Sequence, residues 1–235
     1  MNTTTIQQIS DSWKRTSENV ASIAVKARRS PDDITIVAVS KQKPAEYIRA
    51  GIDAGIRHFG ENKIQEAIEK LPQFKNDKII RHCIGHVQSN KVRFLPELFD
   101  LIQTLDAMKT AHKIDSIFRE NNAVAEVLVQ VNISYDSAKY GLDPAIASDF
   151  IGELLTLSNI KCRGFMTIGP NTDSRDEIRK AFKKMFALSE NIYQQFRGKL
   201  STPELSMGMS NDYDIAIQEG ATFLRMGQAI FGERG

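Results

Sequence analysis

The chain has 235 residues, 41% hydrophobic and 26% charged, a composition that excludes a mainly disordered protein. Its 31 Lys and Arg nearly balance 29 Asp and Glu, so the net charge is +2 and nucleic acid is not an expected partner. Two isolated cysteines, a polar amino terminus and no apolar run of about 20 residues predict a cytoplasmic protein without a signal peptide or membrane span. No linker-like segment divides the sequence, so we expect one domain over residues 1–235.

The predicted elements follow one another in a regular order. Apolar residues recur at helical spacing over residues 6–28, and this helix ends at Ser30-Pro31. Strand patterns then alternate with helix patterns. Strands are predicted at residues 34–39, 57–59, 79–84, 98–102, 126–132, 161–167, 204–207 and 223–226. Helices are predicted at residues 44–54, 62–71, 109–121, 144–157, 175–196 and 212–219, and from residues 89 and 228 onward.

This alternation predicts a parallel sheet with right-handed crossovers. Eight strand–helix units in about 200 residues favour a closed α/β barrel, a (β/α)₈ TIM barrel with an extra N-terminal helix. An open, doubly wound sheet is the alternative. The sequence has neither a GxGxxG fingerprint nor a P-loop, which weakens a nucleotide-binding version of that alternative.

Active sites of such barrels lie at the carboxyl ends of the strands, and Lys41 follows the first predicted strand there. Burial disfavours an ammonium group and lowers its pKa. A neutral lysine amine is a nucleophile that can form a Schiff base with an aldehyde. A solvated lysine at a strand end remains the alternative for this residue.

Two segments after the last strands are rich in small residues, 206–212 (SMGMSND) and 225–232 (RMGQAIFG). The loops after strands seven and eight of a barrel, with the start of a short helix, commonly bind phosphate. Ser206 and Ser210 could add hydroxyl donors. Alternatively, these residues only turn the chain and cap helices, as Ser210 could before residue 212.

A Schiff-base lysine and an anion site at one barrel mouth are what an aldehyde cofactor with a phosphate group requires, and pyridoxal 5′-phosphate (PLP) fits both. Arg225 could face the ring nitrogen of that cofactor. A permanent guanidinium cation there would keep the nitrogen unprotonated. The alternative for Arg225 is a structural ion pair with Glu204 or Asp212.

The same segments resemble the pyridoxal-phosphate homeostasis protein family. The resemblance rests on residues 39–44 (VSKQKP), 58–62 (HFGEN), 84–91 (IGHVQSNK), 206–210 and 225–232, in the family's order over nearly the whole chain. It implies a barrel similar to the N-terminal domain of alanine racemase and a role in supplying or buffering PLP. It also implies a Schiff base at Lys41, phosphate contacts from Ser206, Gly227 and Gln228, and Arg225 at the ring nitrogen.

Three residues depart from the family pattern. They are Lys63 in place of an aromatic residue, Gln228 in place of a small residue, and Tyr140 between Lys139 and Gly141. Gln228 keeps a backbone N–H for phosphate but offers no hydroxyl. Lys139 could be a second amine that meets the cofactor, with a solvated lysine as the alternative.

Several other polar or soft side chains follow predicted strands. Asn62 and Asn132 could hydrogen-bond the cofactor, His86 could line the pocket, and Met166 could pack on the ring or lie in the core. His82 and His86 are four residues apart but lie on or just after a strand, where that spacing spans about 13 Å. We therefore predict no metal site.

The sequence leaves three functional classes open. A non-catalytic cofactor carrier is favoured, because a PLP racemase needs a second base opposite Lys41 and the family's racemases take it from another domain. Tyr135, Tyr140 and Tyr213 are the tyrosines that could reach the mouth. A Schiff-base aldolase without PLP is the third class. For the carrier we expect a monomer, with PLP and apo forms of PLP-dependent enzymes as its partners.

Overall fold

The computed structural model describes residues 3–232. Its centre is a closed barrel of eight parallel strands, in which each strand pairs with its neighbours in sequence and β1 pairs with β8. This confirms the predicted (β/α)₈ barrel and excludes the open sheet. The strands are β1 (Thr35–Val39), β2 (His58–Glu61), β3 (Ile80–Cys83), β4 (Leu101–Leu105), β5 (Ala125–Gln130), β6 (Ile160–Met166), β7 (Glu204–Ser206) and β8 (Phe223–Met226).

The helices surround the barrel, after an N-terminal helix that confirms the predicted extra element. They are α1 (Thr3–Lys26), α2 (Ala45–Asp53), α3 (Ile64–Lys70), α4 (Leu95–Leu98), α5 (Met108–Glu120), α6 (Ala147–Leu154), α7 (Arg175–Gln195), α8 (Tyr213–Gln218) and α9 (Gln228–Phe231). Helix α1 packs against α2, α8 and α9, which brings the two ends of the described chain together. In this part of the chain no helix is long and apolar enough to cross a membrane.

One predicted strand was misplaced. The sequence predicted a strand at 98–102, but Leu98 ends α4 and β4 begins at Leu101. The predicted helix from residue 89 is a 3-10 helix, Ser89–Phe94, that leads into α4. Leu95 and Leu98 are both buried, so a short run of apolar residues, interrupted by Glu97 and Asp100, contains a helical turn followed by a strand. Periodicity cannot divide so short a run.

Apolar side chains form two separate layers. A small cluster fills the barrel interior and consists of Val37, Leu101, Leu128, Met166 and Phe223. A much larger cluster lies between the outer face of the strands and the helices. Such a filled interior is typical of this fold, in which the barrel is a packed core and ligands bind at its mouth.

Gly164 marks a bulge where β5 and β6 lose their regular register. Its φ is +151°, a backbone conformation that residues other than glycine rarely adopt. A Cβ atom there would lie 2.1 Å from the backbone oxygen of Glu204 on β7. The bulge therefore requires glycine for both conformation and space.

We expect Gly164→Ala to lower the free energy of unfolding by roughly 3 kcal/mol or more, because backbone strain and a backbone clash add. Gly198 has a φ of +89° and no atom within 4 Å of an added Cβ. Gly198→Ala therefore controls for strain alone and should cost about 1 kcal/mol. Urea denaturation of both variants measures the difference. Equal losses would show that β7 does not approach Gly164 this closely.

Candidate functional site

A cavity of about 270 Å³ opens at the carboxyl ends of the strands. It is lined from several strand ends at once, by residues that follow β1, β2, β3, β6, β7 and β8. The lining includes these residues that the sequence singled out: Lys41, Asn62, Ser210, Arg225, Gly227 and Gln228. Barrel closure therefore brings together an amine, an amide, a hydroxyl and a guanidinium from distant parts of the chain.

The loop that carries Lys41 is fixed from below by a buried ion pair. The ammonium of Lys70 lies 2.7 Å from Oε1 of Glu61. The same carboxylate oxygen accepts a 2.6 Å hydrogen bond from the Ser40 hydroxyl. The Lys70 ammonium also donates to the backbone oxygens of Ser40 and Lys43, each at 3.1 Å. Contacts on both sides of Lys41 thus hold its backbone in place.

The loop also contains a strained residue. Gln42 has a φ of +61°, in the left-handed region that few residues other than glycine adopt. Its backbone N–H donates to Oε2 of Glu66 at 2.8 Å. Glu66 in turn lies 3.5 Å from the Lys70 ammonium. A side chain of α3 therefore supports the turn that directs Lys41 into the cavity.

Sequence reasoning placed neither Lys70 nor Glu66 in the site. Lys70 is only 8% exposed, and burial raises the pKa of the Glu61 carboxyl, with Lys70 and Ser40 acting in the opposite direction. One signal was available, because Lys70 lies three residues after Ala67 and six after Ile64 on the buried side of α3. A lysine on an apolar helical face needs a buried partner.

Asn62 lies where two loops meet. A Cβ atom on Gly85 would lie 1.8 Å from the backbone oxygen of Asn62, so the loop after β3 packs directly on the loop after β2. Asn62, Ile84 and Ile168 line both the first cavity and a second one of about 450 Å³ beside it. Gly85 therefore sets the position of the wall that the two cavities share.

Arg225 is 5% exposed, and its guanidinium donates to the hydroxyl of Ser206 at 2.7 Å and to the backbone oxygen of Thr167 at 2.8 Å. Burial lowers its pKa to about 10, with Asp212 opposing that effect, so it remains a cation at neutral pH. Glu204, one proposed ion-pair partner, binds Arg163 instead. Arg225 is thus a buried, positioned cation in the cavity wall.

Three predicted site residues lie away from this cavity's lining. Ser206 is fully buried, and its hydroxyl donates to Gln103 while it accepts from Arg225. Met166 belongs to the apolar cluster inside the barrel. His86 lines the second cavity, where its ring stacks on Tyr140 at 4.1 Å with an interplanar angle of 13°. Ser206 and Met166 support the site from beneath, and His86 lies beside it.

Neither Lys139 nor Asn132 lines the described cavities. The Lys139 ammonium donates to the backbone oxygen of Gly169 at 2.7 Å and lies 3.4 Å from Asp136. Asn132 exchanges hydrogen bonds with the backbone of Asp136, which closes the loop after β5. Over residues 3–232, no three His, Cys, Asp or Glu side chains are grouped as a metal site requires.

Small residues in the loops after β7 and β8 line part of the cavity rim, beside the end of β1. A Cβ atom at Gly227 would meet nothing closer than the backbone oxygen of Val39 at 3.4 Å, an ordinary contact. The protein's own packing therefore does not demand glycine here. Gly227 precedes α9, whose first backbone N–H groups have no partner within the helix. Together with Ser210, these donors suit an anion.

The Lys70–Glu61 pair yields a stability prediction. Lys70→Met should lower the free energy of unfolding by about 3–5 kcal/mol, because it leaves a buried carboxylate uncompensated. Adding Glu61→Gln should recover part of that loss. Lys161, whose side chain is 60% exposed beside Glu126, offers the control, and Lys161→Met should cost less than about 1 kcal/mol. Equal losses for both single variants in urea denaturation would contradict the buried pair's role.

The chain is similar to known proteins over nearly its whole length. The family described as "Alanine racemase, N-terminal domain" matches residues 13–235. A pyridoxal phosphate homeostasis protein of Aquifex aeolicus is 34% identical over 94% of this chain and 96% of its own. The protein of the same name from Escherichia coli is 35% identical over 92% of this chain and 93% of its own.

Solved structures agree with these sequence matches. PipY of Synechococcus elongatus, solved with PLP bound, has a TM-score of 0.81 and 35% identity, covering 91% of this chain and 100% of its own. An alanine racemase of Clostridium difficile has a TM-score of 0.73 at 18% identity, covering 93% of this chain and 56% of its own, a likeness of fold alone. The chain therefore belongs to the alanine racemase N-terminal-domain family, among the pyridoxal phosphate homeostasis proteins.

Proposed function

We propose that this protein binds PLP through Lys41 and takes part in PLP homeostasis. The observation that carries the proposal is one cavity lined by the Lys41 amine, by small residues that follow β7 and β8, and by the buried guanidinium of Arg225. When bound, PLP supplies an aldehyde carbon that a lysine amine attacks. The relatives named as PLP homeostasis proteins and the PLP-bound PipY structure support this assignment.

The residues present fit such a cofactor at each of its polar groups. The loop fixed by Glu61 and Lys70 presents the Lys41 amine. Ser210 and the backbone N–H groups at Gly227 and Gln228 would bind the phosphate. These donors come from the loops after β7 and β8, where barrels commonly bind phosphate.

Arg225 and Asn62 would contact the ring. A guanidinium has only donor groups and stays charged, so it cannot accept a proton from the ring nitrogen and disfavours a proton on it. An unprotonated ring is a weaker electron sink, which lowers the capacity for carbanion chemistry. The Asn62 amide would hydrogen-bond the phenolic oxygen, and Met166 supports the site from within the barrel.

The same geometry favours a carrier over a racemase. Racemisation requires an acid and a base on opposite faces of the reacting carbon. Within residues 3–232, no tyrosine lines the cavity that contains Lys41. Tyr140 lines the neighbouring cavity stacked on His86, and Tyr135 is 65% exposed. We therefore propose a monomeric, cytoplasmic protein that holds PLP without turnover and hands it to apo forms of PLP-dependent enzymes.

The first test is covalent capture of PLP. Borohydride reduction of the wild-type protein with PLP should add one phosphopyridoxyl mass, and Lys41→Ala should abolish the adduct. Lys43 lines the same cavity two residues away, so Lys43→Ala is the matched control and should keep the adduct. Intact-mass spectrometry and visible absorbance give the readouts. An unchanged adduct in Lys41→Ala, or none on the wild type, would refute the assignment.

The second test separates carrier from enzyme. PLP-loaded protein should leave the optical activity of L-alanine unchanged over hours, because no tyrosine among the described residues lines the cavity to act as a second acid–base group. Polarimetry measures this directly, with an established racemase as the positive control. Racemisation by the wild type that disappears in Lys41→Ala would establish an enzyme and overturn the carrier function while leaving PLP binding intact.

A further inference from the structure

A continuous hydrogen-bond chain crosses the barrel interior beneath the cavity. It begins at Arg225, which donates to Ser206 at 2.7 Å, and Ser206 donates to Oε1 of Gln103 at 2.7 Å. Nε2 of Gln103 lies 2.9 Å from Nδ1 of His82. Nε2 of His82 lies 3.0 Å from Nδ1 of His58, at the start of β2. The chain thus runs from the cavity wall at the barrel mouth toward the opposite end of the barrel.

The chemistry of Arg225 gives the chain one direction. A guanidinium can only donate, so the Ser206 oxygen accepts from Arg225. The Ser206 O–H group then donates a hydrogen bond to Gln103. The amide oxygen of Gln103 is thereby used as an acceptor, and its NH₂ group donates to Nδ1 of His82. Nδ1 of His82 then has no proton, and the neutral ring carries its proton on Nε2. That proton points to Nδ1 of His58.

The surroundings of His82 keep its ring neutral. His82 is 1% exposed, and its ring packs in a T-shaped arrangement on Phe223, with the ring centroids 5.6 Å apart. Burial lowers the pKa of His82 to about 3, and His58 and Arg163 act in the same direction. Arg163 is itself paired with Glu126 and Glu204. Burial and then Arg163 also lower the pKa of the His58 ring.

The chain has a mechanical consequence for Arg225. Its guanidinium is held at two points, the Ser206 hydroxyl and the Thr167 backbone oxygen. The Ser206 hydroxyl accepts from Arg225 in this geometry because its O–H bond is directed toward Gln103, to which it donates. Gln103 is oriented in turn by His82, and both are almost fully buried. The rotational position of the guanidinium therefore depends on side chains that never reach the cavity.

We propose that His82 and Gln103 are positioning residues, which hold Arg225 through Ser206 with His82 locked in the Nε2-protonated form. The inference rests on the proposed function, because Arg225 is the residue assigned to the ring nitrogen. A one-way chain of this kind sets both where the cation lies and which way its N–H groups point. It links the electronic state of the bound ring to two buried side chains on β3 and β4.

The direction of the chain can be tested on the protein without added PLP. In ¹⁵N NMR of labelled protein, His82 should show a protonated Nε2, a bare Nδ1 and no titration between pH 8 and pH 5. Gln103→Glu keeps the shape but replaces the NH₂ donor by an oxygen. In that variant the proton should move to Nδ1 of His82, or the ring should become charged. A bare Nε2 on His82 in the wild type would overturn the inferred direction.

The positioning role is tested on PLP-loaded protein. Gln103→Leu breaks the chain, and it should weaken PLP binding about tenfold and shift the pH midpoint of the bound cofactor's absorbance. Leu128→Val, in the apolar cluster of the same barrel interior, controls for altered packing and should do neither. If Gln103→Leu and Leu128→Val had the same PLP affinity and the same pH midpoint of the cofactor's absorbance, the positioning role would be refuted and the proposed function would stay intact. A wild type that binds no PLP would refute the proposed function, and the NMR result would still decide the chain.

Discussion

The buried pair of Glu61 and Lys70 is the interaction on which the site depends. Two opposite charges removed from water are tolerated only when each finds its partner and further hydrogen bonds. Here the Ser40 hydroxyl donates a further hydrogen bond to the carboxylate, and the ammonium donates to two backbone oxygens. Those backbone oxygens belong to the loop around Lys41. The electrostatic need of a buried pair therefore fixes the lysine that the cavity presents.

A second buried cation, Arg225, is satisfied differently. It has no carboxylate in direct contact among the described residues and is held by a hydroxyl and a carbonyl oxygen. Arg225 lines the cavity, whereas the Lys70 ammonium is bound by groups inside the protein. The contrast explains how two buried cations take different roles. One shapes the site, and the other would contact the cofactor.

The barrel provides the frame in which both cations are useful. Its interior is filled by apolar side chains below and by the polar chain from Arg225 to His58. Its outer layer is a continuous apolar core under the helices. With the strands rigidly packed on both faces, loop residues can carry strain such as the left-handed Gln42 without loss of position. Rigid strands and strained loops together make a preorganised cavity.

The sequence by itself determined the alternation of strands and helices, and through it the closed barrel and the residues at strand ends. Lys41, Ser210 and Gly227 were found in this way, because position after a buried strand is a local property that periodicity reveals. The sequence-based boundary of β4 failed because an apolar run does not show where a helical turn ends and a strand begins.

Only the tertiary structure decided which side chains support those residues. Ser206 lies beneath the cavity because barrel closure sets which strand positions face inward and which reach the mouth. Lys70, Gln103 and His82 act on residues 30 or more positions away or on other strands, and no local pattern encodes such contacts. Their roles follow from the need of buried charges and polar groups for partners, which can be met only once the chain is folded.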